Sequence, residues 1–151
     1  MGNRPRNVLF LCTGNSARSL MAESLLAHLG TGRFRAFSAG SRPAGAPHPL
    51  ALETLRRHGL PTADLRSKSW DEFAREGAPV MDLVVTVCDS AASEPCPIWP
   101  GGPPKLHWGF PDPASAPGTE AERKAAFARV FAGLRDRIQA FLALPEGDGR
   151  L

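Results

Sequence analysis

The chain has 151 residues, 42% hydrophobic and 22% charged, which fits one globular domain over 1–151 and excludes a disordered or low-complexity chain. No run of about eighteen apolar residues occurs, so a membrane-spanning helix is excluded; with no signal-peptide pattern at the start, a cytoplasmic location is expected. The net charge of +3 is compatible with an anionic substrate, but no basic run interleaved with aromatics points to nucleic acid.

In chain order, "NVLFLC" (7–12) is a short apolar run that reads as a buried strand. From Ser16 the pattern becomes helical, with Ala17, Met21, Leu25 and Leu29 spaced by four and Gly30 as the stop. "FRAFSAG" (34–40) alternates as a second strand, and a Pro/Gly-rich loop (41–47) leads into a helix, "PLALETLRRHGL", closed near Gly59. A helical stretch is expected around 70–76. "DLVVTVC" (82–88) is a third buried strand and "PKLHWGF" (104–110) a shorter fourth. Thr119 and Glu122 form a capping-box pattern, after which Phe127, Val130, Phe131, Leu134, Ile138, Phe141 and Leu142 line one helical face. The tail "PEGDGRL" reads as frayed.

Strands alternating with helices predict an α/β fold: a three-layer, four-stranded parallel sheet with helices on both faces. Binding crevices of such sheets lie beyond the carboxyl ends of the strands, where Cys12 and Cys88 both fall.

The first turn carries the densest chemistry. "CTGNSARS" lies between a strand and a helix, an arrangement that lays backbone N–H groups of Thr13, Gly14, Asn15, Ser16 and Ala17 around an anion at the helix's positive end. Gly14 and Asn15 tolerate the left-handed backbone such a wrap requires. Cys12 at its centre is expected to have a depressed pKa and to be largely thiolate. Arg18 can clamp two oxygens of a tetrahedral oxyanion through its planar fork, and Ser19 can donate to the thiolate.

The stretch resembles the low-molecular-weight tyrosine phosphatase superfamily, whose loop is C-x5-R-S after the first strand. Within it, "CTGNSARS" followed by "MAE" looks like the arsenate reductases built on this fold, regenerated by thioredoxin or a related thiol system. The similarity runs from about Asn7 to Leu142.

Cys88 and Cys96, with seven residues between them, complete the three cysteines of the chain. The spacing is long for zinc, and Asp89, Ser90, Ser93, Glu94 and Pro95 give poor cover for structural thiols. A redox relay fits the segment better. It is similar to the arsenate reductases' "VCDxA…CP" region, which holds their second and third redox cysteines, although relatives often have six residues in the gap. "HWGFPDPA" resembles the family's "HWG…DPA" loop and implies that Asp112 is the general acid. A potassium site of some relatives would map to Asn15, Glu23, Ser38 and Asp71; loop bridging and helix or strand-end hydrogen bonds are the alternative for these residues. No tightly bound cofactor is otherwise implied.

The resemblance implies arsenate reduction through Cys12, Cys88 and Cys96, with Arg18 and Asp112 assisting, phosphate or sulfate as competing oxyanions, and a thioredoxin-type partner acting on a monomer. A tyrosine phosphatase is the chief alternative. It needs Cys12, Arg18 and Asp112 alone, but commonly has a tyrosine pair after Asp-Pro; here Ala114 and Ser115 follow, and the chain has no tyrosine. An oxyanion-binding or redox-sensing module is the third reading. His28, His48 and His58 are expected at surface or half-buried helix positions, and Trp99 and Trp108 near the active edge.

Overall fold

A computed structural model describes residues 5–88, 99 and 102–144. The loop 89–95, Cys96 and the tail after Leu144 lie outside them. Four strands, β1 (Arg6–Leu11), β2 (Phe34–Ala39), β3 (Leu83–Thr86) and β4 (Lys105–His107), form a sheet of order β2-β1-β3-β4. Every pairing is parallel, with Leu11 opposite Ala39 on one side and Thr86 on the other. The central pair is apolar because both of its faces are covered. Val8 to Leu11 and Leu83 to Val85 are buried without alternation.

Cover comes from both sides. Phe34 of β2 meets Phe141 of α3 (Glu120–Leu142) with ring centroids 5.1 Å apart, whereas Phe37 meets Phe73 at 5.6 Å. Residues 34 and 37 point to opposite faces of a strand, so α3 covers one face and the 3-10 turn Trp70–Phe73 the other. The expected helix over 70–76 is thus only that short turn, begun by the Ser69 hydroxyl accepting from the Asp71 amide at 3.1 Å.

Helix α1 (Arg18–Leu29) packs against the sheet, α2 (Pro49–Arg57) and α3 together. Its burial therefore spreads beyond the stripe of every fourth residue to Ser19, Leu20, Ala22, Ser24 and Leu26. Leu29, expected in that stripe, is 37% exposed, and its neighbours Ala27 and His28 in the last turn of the helix are exposed too. The capping box forms as the sequence predicts: Thr119 Oγ1 accepts from the Glu122 amide, and the Glu122 carboxylate accepts from the Thr119 amide, both at 3.1 Å. Such a cap contributes about 1 kcal/mol. Among the described residues no helix is long and apolar enough to cross a membrane.

The histidines follow their expected positions. His28 is exposed, His58 stacks on Phe131 with centroids 4.2 Å apart, and His48 caps α2 by accepting from the Leu50 amide through Nδ1 at 3.1 Å.

Candidate active site

Residues 12–17 join β1 to α1 and are shaped from outside. The carbonyls of Thr13, Gly14 and Ser16 accept from the amides of Arg42, Ala44 and His48 at 2.9, 2.9 and 2.8 Å. Ser67 Oγ donates to Gly14 O at 3.0 Å. In a trans peptide the C=O and N–H point in opposite directions, so the amides of Gly14, Asn15 and Ala17 face away from these straps, into the loop. Asn15 supplies the bend at φ 44°, the sole positive φ at a non-glycine among the described residues. Ala17 offers α1 no side-chain cap, and no acidic residue stands in its first turn. This is a concave, amide-lined site at a positive helix end, suited to an oxyanion.

Cys12 sits at its base, buried, with its amide donating to Ala39 O at 3.2 Å. Cys88 is buried beside it, and the two sulfurs are within hydrogen-bonding reach; neither is in a disulfide. Thr13 Oγ1 lies 3.8 Å from the Cys88 sulfur. The expectation of a depressed thiol pKa fails in this reduced state. Hydrogen bonding to Cys88, then burial, push the Cys12 thiol well above its ordinary value, against the Arg18 charge and the Gly14 amide, which act in the expected direction. The second sulfur makes the difference. Nor does Ser19 pair with Cys12; it is fully buried and accepts from Asn15 Nδ2 at 2.8 Å.

Arg18, 13% exposed at its side chain, opens α1 and reaches the loop after β4. One terminal nitrogen donates to Phe110 O at 2.9 Å, and the other stands 3.9 Å from Asp112 Oδ2. Its Nε is buried and has no partner among the described residues, an unmatched donor in the residue that opens α1. Asp112 is 40% exposed at its side chain; its carboxylate accepts from the Ala114 amide at 3.0 Å and Ser115 Oγ at 2.9 Å, which fixes it toward Arg18. Three elements far apart in sequence thus bring Cys12, Arg18, Cys88 and Asp112 to one end of the sheet. Cys96 lies outside the described residues.

Of the tryptophans, Trp99 is buried edge-on to Trp70 at 6.3 Å, and the Trp70 amide donates to Gly40 O beside the loop. Trp108 turns inward instead, onto Phe10 and Phe141 at 6.1 and 5.9 Å.

Asn15, Glu23 and Ser38, three of the expected potassium ligands, do meet. Ser38 Oγ donates to Glu23 Oε1 and accepts from Asn15 Nδ2 at 3.0 Å. The cation among them is the chain's own Lys68, whose Nζ donates to Ser38 O at 2.9 Å and lies 3.3 Å from Ser38 Oγ, 3.5 Å from Asn15 Oδ1 and 3.7 Å from Glu23 Oε1. Asp71 is exposed. A potassium ion and this ammonium would claim the same oxygens, so the residues present do not fit the ion. Among the described residues no group of His, Cys, Asp and Glu could hold another metal.

Sequence reasoning missed Gly40, Ser67 and Lys68. A Cβ on Gly40 would collide with the carbonyl oxygen of Thr13 and lie 2.6 Å from that of Cys12. A glycine ending a strand beside the one that leads into Cys12 was the available signal. Lys68 carried none.

Comparison with known proteins agrees with this geometry. Residues 7–147 match the family described as low molecular weight phosphotyrosine protein phosphatase. An arsenate reductase of Bacillus licheniformis is 40% identical over 137 residues, 90% of this chain and 94% of that protein. The crystal structure of an arsenate reductase from Archaeoglobus fulgidus superposes with a TM-score of 0.71 at 28% identity, over 91% of this chain and 99% of the other. A thioredoxin-dependent arsenate reductase of Corynebacterium glutamicum gives 0.61 at 27%, over 93% of this chain and 65% of the other. The chain belongs to the low molecular weight phosphotyrosine protein phosphatase family, in the branch that contains the arsenate reductases.

Proposed function

We propose that the protein reduces arsenate to arsenite through its cysteines and is regenerated by a thioredoxin-type donor. The observation that carries this reading is the second thiol: Cys88 stands within hydrogen-bonding reach of Cys12, at the base of the amide-lined loop, whereas a phosphatase needs the first sulfur alone.

Arsenate binds to the inward amides and to Arg18. As the dianion it accepts the Cys12 proton, and the thiolate attacks arsenic while Asp112 protonates a departing oxygen, which leaves as water. Cys88 passes its proton to an oxygen of the arsenic adduct and, as thiolate, attacks the Cys12 sulfur. The sulfur–arsenic bond breaks with its electron pair left on arsenic, which passes from pentavalent to trivalent and departs as arsenite. The two sulfurs, each oxidised by one electron, form a Cys12–Cys88 disulfide. Cys96 attacks Cys88, releasing Cys12 and leaving a Cys88–Cys96 disulfide for the donor to reduce. The family relation and the thioredoxin-dependent neighbour support this last exchange. No tightly bound cofactor is required. The setting is the cytosol, where thiol donors keep such cysteines reduced, and the acting unit is the monomer.

The decisive assay is arsenate-dependent NADPH consumption with thioredoxin and its reductase, run beside a glutaredoxin system. Mapping of trapped disulfides in Cys96→Ser after arsenate treatment should give a Cys12–Cys88 link. Its absence would end the relay. Weak aryl phosphate hydrolysis should survive in Cys88→Ser, because a loop made for tetrahedral oxyanions accepts phosphate as well.

A further inference from the structure

We propose that Lys68 is a tethered cation that holds the oxyanion loop in its binding shape, making the protein independent of potassium. The proposal concerns the loop itself and holds whichever oxyanion chemistry the loop serves.

Four observations carry it. First, Asn15, the left-handed residue of the loop, is fully buried, and an L-residue adopts that backbone only when its surroundings impose it. Second, its side chain is saturated. Nδ2 donates to Ser19 Oγ and Ser38 Oγ at 2.8 and 3.0 Å, and Oδ1 accepts from the Lys68 amide at 2.8 Å with Lys68 Nζ 3.5 Å away. Two donors and two acceptor positions are all that such an amide has. Third, the Lys68 side chain is 7% exposed, and its ammonium is surrounded by oxygens from three elements: Asn15 of the loop, Ser38 of β2 and Glu23 of α1. Fourth, its backbone ties the same place to β2, since Gly40 N donates to Lys68 O at 2.9 Å.

A positive charge is needed there. Glu23 and the oxygens of Ser38 and Asn15 converge, and without this ammonium the largely buried carboxylate would keep only the Ser38 hydroxyl and the Arg66 charge to offset its desolvation. Burial pushes Lys68 down and Glu23 up, each toward its neutral form, while each one's charge pulls the other back. A free monovalent ion in this place would have to be recruited from solution. A lysine carries its charge on the chain, and its ammonium and potassium are of similar size. Lys68 contacts the loop at Asn15 and acts on a bound oxyanion through it, as a positioning residue.

The test compares wild type, Lys68→Ala and Lys68→Met in sodium and in potassium buffers of equal ionic strength. Three readouts are taken: phosphate affinity by calorimetry, thermal midpoint, and KM with kcat for arsenate. Wild type should show the same values in both cations. Lys68→Ala in sodium should lose on the order of tenfold in phosphate affinity and in KM, with kcat changed less, as for other residues that orient a binding group from behind. Potassium should restore much of that loss, and methylammonium likewise. Lys68→Met keeps the stem without the charge and should be as impaired as Lys68→Ala. If Lys68→Ala folds poorly in sodium, potassium should raise its midpoint and its refolding yield.

A potassium-activated wild type would overturn the proposal. So would a Lys68→Met with normal phosphate affinity, which reduces the role to packing, or a Lys68→Ala that no cation rescues in any readout. Phosphate affinity reads the loop even in a protein that turns over no arsenate, so failure of the reductase reading is distinguishable from failure of this one.

Discussion

The sulfur of Cys88 lies against that of Cys12 at the carboxyl ends of β3 and β1, and this neighbour, more than burial, holds the Cys12 thiol protonated. Ionisation of either sulfur disfavours that of the other, so in the proposed reaction the attacking thiolate forms when an oxyanion arrives to take the proton.

Replacing Cys88 should therefore make Cys12 more acidic. In Cys88→Ala the pH midpoint for alkylation of Cys12 by iodoacetamide should move down, because the largest upward influence is gone while Arg18 and the Gly14 amide remain. In Arg18→Gln it should move up. Rates measured across the alkaline range, with alkylation located by mass spectrometry, check both directions. An unmoved midpoint in Cys88→Ala would mean that the second sulfur does not govern the first.

Arg18→Lys should impair turnover despite the conserved charge. The guanidinium reaches Phe110 O and the vicinity of Asp112 with two different nitrogens and keeps Nε as a third, buried donor; a lysine has one charged nitrogen for all three tasks. Loss of kcat/KM for arsenate on the order of a hundredfold is expected, with an unchanged far-ultraviolet circular dichroism spectrum. Activity within a few-fold of wild type would contradict the assignment.

Gly40→Ala should damage the loop without touching it chemically. The added methyl meets the backbone oxygens of Thr13 and Cys12, neither of which belongs to a flexible side chain. A destabilisation of about 1–3 kcal/mol is expected, together with weaker phosphate binding. Thermal denaturation with and without phosphate separates the two effects, since a displaced loop also loses the stabilisation that bound anion confers.

Acid should loosen α2 through His48. Its cap requires a neutral Nδ1 to accept from Leu50 N. Burial, then the nearby Arg123, lower its pKa below the ordinary 6.5, with Asp112 acting weakly the other way. A group whose folded pKa is lowered contributes stability that is complete above its unfolded pKa and is lost as pH falls through the folded one. His48→Asn keeps an acceptor at every pH. The difference in stability between wild type and this variant should change by about 0.5–2 kcal/mol across that window. Parallel acid dependences would refute the link.

The sequence made most of the frame legible because the frame is local. Strand runs, the capping box of α3 and the loop between β1 and α1 each state themselves within about ten residues. The site was legible for the same reason at Cys12, Arg18 and Asp112, which sit in contiguous motifs. What escaped was the relation between distant segments. The strand pattern placed Cys12 and Cys88 at the same end of the sheet, but the pull of Cys88, 76 positions away in the numbering, on the Cys12 pKa depends on their contact, which no local pattern states. Likewise Asn15, Glu23 and Ser38 were drawn together correctly, but their occupant, Lys68, belongs to a stretch without periodicity or motif. Leu29 failed because regular spacing by four cannot tell an exposed last turn from a covered one.

The straps from Arg42, Ala44, His48 and Ser67 to the loop carbonyls bear on protein engineering. Eight residues transplanted onto another strand–helix junction would bring the thiol and guanidinium but not the curvature, since the outer segments impose it. A working graft would have to carry Gly40 to His48 and Ser67 to Lys68 as well. Its minimal transferable unit is a three-part assembly.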